Sequence, residues 1–490
     1  MAQPVAIWWI RRDLRLADNP ALQAALSLGG QVLPVFIRTP ELLEKPAPRR
    51  QAFLFAGLRA LDSDLRRLGG RLVVRSGAPH EVLFSLTAET SARAVFAAED
   101  FSPYARRRDA QVAACLPLQL LSGQVIQHPQ AVLKPPGFEQ PYTVFTAYRR
   151  AWQGRLQTAN LPGEPERVPF DLPVASEPLP EAEEEGYFRA GEAQAHDRLE
   201  RFIDSGALFG YAAGRDQMGR DGTSSLSPYL RFGMLSPRQA LHAALAALVN
   251  TPAQPGQDPA AGARLGIEAW VNELVWRDFY FAILYHFPYV LRTAFSPGLR
   301  AIQWRQAPDD LQAWQTGQTG FPVIDAAMRQ LEATGWMHNR ARMLAASFLV
   351  KDLLIDWRLG ERWFMRQLVD GDPAANNGGW QWTAGVGTDA APYFRIFNPV
   401  LQGMKFDPTG DYVRRWVPEL AGLPDAWIHR PWEMPPEQAR RAGLRLGKDY
   451  PFPIVDRSQA RPRALAAYAA SRAAAGKTDY NLPDNTADPE

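Results

Sequence analysis

Residues 54–75 read LFAGLRALDSDLRRLGGRLVVR. Leu54, Leu58, Leu61, Leu65 and Leu68 recur at steps of four and three, which puts them on one face of a helix. Gly69-Gly70 ends that helix, and Arg71–Arg75, which follows at once, has strand character. The same alternation extends in both directions. Val5–Ile10 (VAIWWI) and Gln31–Ile37 are short apolar strands with helical sequence between them. A helix begins near Pro79, Ala92–Ala98 is a strand followed by a helix, and Leu118–Leu121 is a last short strand after Pro117. Strand–helix repetition at this spacing predicts an α/β domain over residues 1–127, a doubly wound parallel sheet with helices on both faces. No GxGxxG follows the first strand, so the standard dinucleotide fingerprint is absent.

The texture then changes. Ten prolines fall between Pro129 and Pro180, and Glu181, Glu183, Glu184 and Glu185 form an acidic run. Residues 128–194 therefore read as a linker draped over a surface, with the acidic run as a solvated face. Residues 195–476 are mostly helical, with loops expected at GRDGTSSLSP, DGDPAANNGG and FNPVLQGMKFDPTGD. Residues 477–490 read as a flexible polar tail.

Composition narrows the function. Of 490 residues, 54 are Lys or Arg and 52 are Asp or Glu, a net charge of +2, so any nucleic-acid binding must come from local charge rather than the total. Cys115 is the single cysteine, which excludes an internal disulfide and a cysteine metal site and favours a cytoplasmic location. The seven histidines show no HExxH-type spacing, so no metal is expected. Arg11-Arg12 follow an apolar run of only six residues, and the run from Met343 stops at Lys351, so neither a signal peptide nor a membrane span is expected. Tryptophan is concentrated: 12 of 15 lie between Trp270 and Trp432.

Four segments of the helical part carry candidate chemistry. In Gly219–Pro228, Thr223, Ser224, Ser225 and Ser227 precede an apolar helix, a pattern that serves a diphosphate or a plain N-cap. In Trp336–Met343 (WMHNRARM), Asn339 and Met343 share a helix face while Arg340 and Arg342 point elsewhere. Asp370–Trp382 (DGDPAANNGGWQW) packs carboxylates, amides, glycines and indoles into a stretch that reads as a tight, ligand-gripping turn. In Trp270–Tyr280 (WVNELVWRDFY), Glu273 and Trp276 sit three apart, a carboxyl group beside an indole. In a nucleobase pocket that pair would be an acceptor beside a stacking platform.

Together, WVNELVWRDFY, Trp336–Trp357 (WMHNRARMLAASFLVKDLLIDW) and Asp370–Pro399 (DGDPAANNGGWQWTAGVGTDAAPYFRIFNP) resemble the photolyase/cryptochrome family, and within it the bacterial cyclobutane pyrimidine dimer (CPD) photolyases. Ile10–Leu22 (IRRDLRLADNPAL) is similar to the family's N-terminal signature, and Thr223–Gly233 (TSSLSPYLRFG) to its flavin-phosphate loop. The resemblance runs in order from Ile7 to about Ala470.

The resemblance implies an α/β antenna domain, a linker and an all-α domain holding FAD in a U shape. It implies that Tyr211, Thr223, Ser224, Ser225, Leu226 and Ser227 hold the ribityl and diphosphate groups, that Arg342 and Asp370 pair beside the isoalloxazine ring, and that Asp372 bonds the flavin or its ribose side. Asn376 matches the position facing flavin N5. An amide there accepts from N5–H and cannot donate a carboxyl proton, which suits a reduced, anionic FAD; plant cryptochromes carry an aspartate at that place. Glu273, Trp276, Asn339, Met343 and Trp382 are implied to line the pocket for a flipped-out dimer, which light-driven electron transfer splits. The (6-4) photolyases resemble the same fold but place histidines where Asn339 and Met343 stand.

Trp380, Trp357 and Trp304 match the family's tryptophan chain for photoreducing FAD; without the resemblance each reads as a core tryptophan. Arg340, Arg395 and Lys405 match positions near the damaged DNA strand, where phosphate contacts position the duplex without reading its sequence. Arg106–Arg108 reads as a solvated helix face. Glu99–Arg108 lacks the glutamate of folate-binding members, and Asp100 fits the deazaflavin type loosely, so FAD is the one cofactor expected, and both a second antenna chromophore of unknown identity and an empty antenna pocket stay open. The expected partner is UV-damaged DNA, with no membrane, and the chain is expected to be a monomer. The rival readings are a cryptochrome-like light sensor, a (6-4) photolyase, and a flavin- and DNA-binding module without repair.

Overall fold

The computed structural model describes residues 3–44, 47–135, 140–156, 160–180, 186–249 and 259–476. The acidic run at Glu181–Glu185 and the tail 477–490 lie outside the described residues.

Five strands, β1 (Val5–Ile10), β2 (Gln31–Arg38), β3 (Val73–Ser76), β4 (Ala94–Ala98) and β5 (Leu118–Leu121), form one parallel sheet in the order β3-β2-β1-β4-β5. All six residues of β1 are buried. Ala6, Trp8 and Ile10 face a core built with the helices Pro20–Leu26 and Pro48–Arg67. Ile7 and Trp9 face a second core with Leu83 and Leu86 of the helix Pro79–Thr90 and Val112 of the helix Pro103–Ala113. Cover on both faces is why VAIWWI shows no polar alternation. β3 starts two residues later than the sequence implies, because the Asp62 carboxylate takes the Leu72 N–H at 2.7 Å and keeps it out of the ladder.

Two expectations are corrected. The 128–194 linker contains a helix, Phe145–Gln153, whose Trp152 is fully buried and donates to Asp278 Oδ2 at 2.9 Å. The prolines mask it, since none falls inside it. Further on, the linker does drape over the sheet: Val168 N–H donates to Leu68 O at 3.0 Å, Val32 N–H to Pro169 O at 2.9 Å, and Glu177 N–H to Val74 O at 2.9 Å.

The second correction concerns Asn376-Asn377-Gly378-Gly379, which is no turn but the middle of the helix Pro373–Ala384. Tertiary packing overrides its poor propensity. Asp372 caps the helix and Pro373 opens it. Asn377 donates to Val290 O at 3.0 Å. A Cβ on Gly378 would lie 2.2 Å from the Tyr280 ring, so the glycine lets this helix lie directly against the helix Pro259–His286.

The two halves are locked by the N-terminal signature. Leu14 N–H donates to Phe232 O at 3.1 Å, and the Arg15 guanidinium to Gly233 O at 3.0 Å. Gly233 has φ +64°, and a Cβ there would lie 2.1 Å from Arg12 O, so only glycine fits this junction. The helical half surrounds its own core, which contains Trp314, Trp357 and Trp380. Among the described residues no helix is long and apolar enough to cross a membrane.

Candidate active site

A cavity of about 600 Å³ opens in the helical half. Its wall contains Tyr211, Thr223, Ser224, Ser225, Leu226, Ser227, Arg342, Asp370, Asp372 and Asn376. The same wall contains Glu273, Trp276, Asn339, Met343, Trp382, Trp380 and Arg340. Segments more than 150 residues apart in sequence thus converge on one space. Arg340 and Arg342 do not point elsewhere. The cavity lies at the start of the helix Asn339–Ser347, where side chains from different sides of the first turns reach it.

The geometry separates two ends. At one, Arg342 Nη2 donates to Asp370 Oδ2 at 2.8 Å, and Arg342 Nε to Met337 O at 2.8 Å. Asn376 Nδ2 donates to Glu361 O at 3.1 Å and Glu361 Oε1 at 2.8 Å. Both partners are acceptors when the carboxyl is ionised, so the amide orientation is fixed and Oδ1 is left to accept from the cavity. At the other end, Trp276 stacks on Phe145 at 3.6 Å and 4°, which holds the indole flat. Asn339 Nδ2 lies 3.9 Å from Met343 Sδ. Glu273 Oε1 accepts from Arg215 Nη1 at 2.7 Å. Its side chain faces the cavity rather than bulk water, so desolvation raises its carboxyl above the ordinary range against the pull of Arg215.

Asp372 is the electrostatic hinge between the halves. Its Oδ1 accepts from Ala374 N at 2.8 Å and Ala375 N at 3.2 Å, and its Oδ2 pairs with Arg12 and lies 3.8 Å from Arg231. Burial works to raise this carboxyl, but Arg12, Arg231 and Arg277 together hold it below its ordinary value. Burial lowers the Arg231 guanidinium to about 9 and Arg277 to about 10.

The wall fits FAD on its own atoms. Asp370 Oδ1, Arg231 Nη1 and Trp380 Nε1 are buried, line the cavity and have no protein partner; buried polar atoms rarely stay so. They are an acceptor and donors of the kind a flavin ring and a diphosphate require, beside the hydroxyls of Thr223–Ser227. A Cβ on Gly379 would meet nothing within 4 Å, so the wall there stands back from the space.

Four predicted residues lie outside the cavity. Trp357 is 3% exposed and Trp304 is half-buried, edge-on to Tyr468 at 6.1 Å between centroids. Arg395 and Lys405 are exposed, and Lys405 lies 5.2 Å from the Phe406 ring that also carries Arg340 at 4.3 Å. The Arg106–Arg108 reading needs correction: Arg108 is not solvated but pairs with Asp109 at 2.8 Å and lies 4.8 Å from the Trp9 ring.

Sequence reasoning missed Arg12, Phe145, Arg215, Asp216, Arg231 and Glu361. Arg12 and Arg231 lie inside the quoted motifs, yet their partner Asp372 is up to 360 residues away, which no local pattern reveals. Glu361 had a signal: it lies one turn after Trp357, facing the Asn376 helix.

A family model described as the FAD binding domain of DNA photolyase matches residues 270–470, and one described as DNA photolyase matches residues 6–169. The deoxyribodipyrimidine photo-lyase of Escherichia coli (strain K12) is 43% identical over 487 residues, covering 95% of this chain and 98% of that protein. The crystal structure of a bacterial class III photolyase from Agrobacterium tumefaciens matches with a TM-score of 0.89 at 41% identity, covering 96% of this chain and 98% of that one. The archaeal photolyase from Sulfolobus tokodaii, a structure with two FAD molecules, matches with a TM-score of 0.79 at 30% identity, covering 95% and 100%. With both halves matched by these models and relatives alike over nearly its whole length, the chain belongs to the DNA photolyase family.

Proposed function

We propose that this chain is a CPD photolyase: a monomer that binds UV-damaged DNA, accepts a flipped-out cyclobutane pyrimidine dimer and splits it with light. The observation that carries the reading is the single cavity in which the diphosphate loop and the Arg342–Asp370 pair meet Glu273, Trp276, Asn339, Met343 and Trp382. The name deoxyribodipyrimidine photo-lyase, borne by the Escherichia coli relative, supports the substrate. Bound FAD, reduced, anionic and excited by blue or near-UV light, supplies the electron that opens the cyclobutane ring and takes it back afterwards.

The residues do the rest. Thr223–Ser227 and Tyr211 hold the cofactor's phosphate and ribityl end, and Arg342, Asp370 and Asp372 its ring and ribose side. Asn376 Oδ1 accepts from a protonated ring nitrogen and has no proton to hand over. Trp276, braced by Phe145, and Trp382 form apolar walls against the two pyrimidine rings. Glu273 and Asn339 bond their carbonyl and imide edges. Asn339 and Met343, in place of histidines, favour the CPD over the (6-4) lesion. A dimer stacks poorly, so flipping it costs less than flipping sound bases, as in base-flipping enzymes generally, photolyases among them. Arg340, Arg395 and Lys405 take backbone phosphates, so affinity falls with salt. The site is completed within one chain, consistent with a monomer acting on cellular DNA in the cytoplasm.

A second cavity of about 690 Å³ lies at the C-terminal ends of β1 and β2, lined by Trp9, Phe36, Arg11, Arg12, Asp100 and Arg108 among others. That end of a parallel sheet is where ligands bind in open α/β folds. We assign a second, light-harvesting chromophore to it, in line with the two FAD molecules of the Sulfolobus tokodaii structure. The division into 1–127, 128–194, 195–476 and 477–490 belongs to the same proposal.

The deciding experiment gives the reduced protein a thymine-dimer oligonucleotide and blue light and follows recovery of absorbance near 260 nm, with dark and (6-4) controls. Recovery on the thymine dimer alone is expected. No recovery on either lesion, with reduced FAD bound, would leave a light sensor.

Two variants probe the chemistry. Glu273→Ala is expected to lower both affinity for the dimer and the quantum yield of repair; an unchanged yield would reduce Glu273 to a binding group. Glu361→Leu removes the carboxylate, the nearer of the two acceptors that fix the Asn376 amide, and leaves the backbone carbonyl of residue 361 in place. It is expected to speed air oxidation of reduced FAD and lower the yield, read by flavin absorbance. Oxidation at the wild-type rate would show that the backbone carbonyl of residue 361 orients Asn376 without the carboxylate.

A further inference from the structure

Besides the longer Arg231–Asp372 contact, the cavity wall holds three close ion pairs among the described residues: Arg342–Asp370 at 2.8 Å, Arg215–Glu273 at 2.7 Å and Arg340–Asp216 at 2.7 Å. Asp216 is the one member with no role so far. Its carboxylate grips the edge of the Arg340 guanidinium with both oxygens, Oδ1 to Nε at 3.2 Å and Oδ2 to Nη2 at 2.7 Å. Two parallel N–H···O contacts are also the geometry in which arginine takes a phosphate.

Arg340 has anchors besides Asp216. The guanidinium lies 4.3 Å from the Phe406 ring, and the Arg340 backbone N–H is anchored on His338 Nδ1 at 3.1 Å. The carboxylate is also the outer partner, its side chain 30% exposed against 15% for Arg340. A DNA phosphate approaching this arginine meets a group of its own charge already seated on the fork.

We propose that Asp216 is an internal stand-in for a DNA phosphate. It occupies Arg340 in the free protein, gives way to a backbone phosphate when damaged DNA binds, and retakes Arg340 when the repaired strand leaves. The exchange weakens the complex and speeds product release. The proposal rests on the reading of Arg340 as a phosphate contact.

The test uses the full chain with FAD bound. Binding of a thymine-dimer duplex is measured in the dark at low salt for wild type, Asp216→Asn, Arg340→Ala and the double variant, with flavin content as the check on folding. Asparagine keeps the shape of the side chain and removes the charge; should it fail to retain flavin, Asp216→Ser takes its place. Asp216→Asn is expected to lower Kd about three- to tenfold, and the gain is expected to vanish in the Arg340→Ala background. Turnover under saturating light is expected to fall while the yield of a single turnover holds, because release of repaired DNA becomes slower. Weaker or unchanged binding by Asp216→Asn would overturn the proposal, the former by making Asp216 a positioning residue. A gain that survives in Arg340→Ala would overturn it in favour of general charge. If Arg340→Ala alone binds like wild type, Arg340 is no phosphate contact, and the proposal falls with that reading.

Discussion

Asp372→Ala is expected to empty the cavity of FAD and to lower the unfolding free energy by about 3–5 kcal/mol, the usual consequence of removing one partner from a buried charge cluster. Three losses coincide at this side chain. The helix Pro373–Ala384 loses its N-cap, since Asp372 Oδ1 satisfies the N–H groups of Ala374 and Ala375. Arg12, which spans the junction between the two halves, keeps Asp100, at 3.3 Å, and the neutral Arg231 carbonyl, at 3.2 Å. Arg231 and Arg277 are left as buried cations without the carboxylate that all three guanidiniums share. A carboxyl held below its ordinary value stabilises the fold fully above that value, and loses the contribution as pH falls through the depressed one. At neutral pH the whole contribution is therefore present to be lost. Asp372→Asn separates the parts: its amide oxygen still caps the helix, so the difference between the two variants reads the cap, about 1 kcal/mol. Denaturant unfolding of the holoprotein, with flavin release followed in parallel, checks both numbers. Retained FAD and an unmoved midpoint in Asp372→Ala would show that the cluster does not join the halves.

The contrast between Leu58 and Arg12 shows what the sequence could disclose. Leu58, Leu61 and Leu65 are buried where their spacing puts them, because a helix face is a local property. The five strands of the sheet were legible for the same reason, down to the unbroken apolar run of β1. Arg12 joins Asp372 across 360 positions, and only the folded chain creates that contact. Asn376–Gly379 misleads in the other direction. Its local preference is a turn, yet Tyr280, Val290 and the Asp372 cap together impose a helix. The residues of the cavity were named through motif resemblance, and their roles stay tied to it. Their braces are harder to read: Phe145 hides in a proline-rich stretch, and the one signal of Glu361 is its place a turn after Trp357. Arg215 and Asp216 sit side by side in a loop and serve different partners, Glu273 and Arg340.

Trp304→Phe carries the other large effect: it is expected to abolish photoreduction of oxidised FAD while leaving repair by chemically reduced protein in place. The three indoles are graded by position. Trp380 lines the cavity, Trp357 is buried in the same core, and Trp304 is the one that reaches towards solvent. If the three indoles are the electron-transfer chain that the family resemblance implies, an electron hole started at Trp380 would have to reach the surface to escape recombination, and each move would need an oxidisable ring near the last. Phenylalanine is far harder to oxidise than tryptophan, so the hole would stop at Trp357 and return. The substitution is mild for packing. The Trp304 and Tyr468 rings are perpendicular, 6.1 Å between centroids, an arrangement that phenylalanine can keep. The Tyr468 hydroxyl stays on Ala384 O at 2.7 Å. Two measurements on one preparation separate the functions: the fall in oxidised-flavin absorbance under blue light with an external donor, and dimer splitting after reduction in the dark. Lost photoreduction with retained repair makes Trp304 the exit of the chain. Photoreduction at the wild-type rate would mean that the hole leaves by another ring, and Trp314, edge-on to Trp380 at 6.1 Å but fully buried, would be the next to replace.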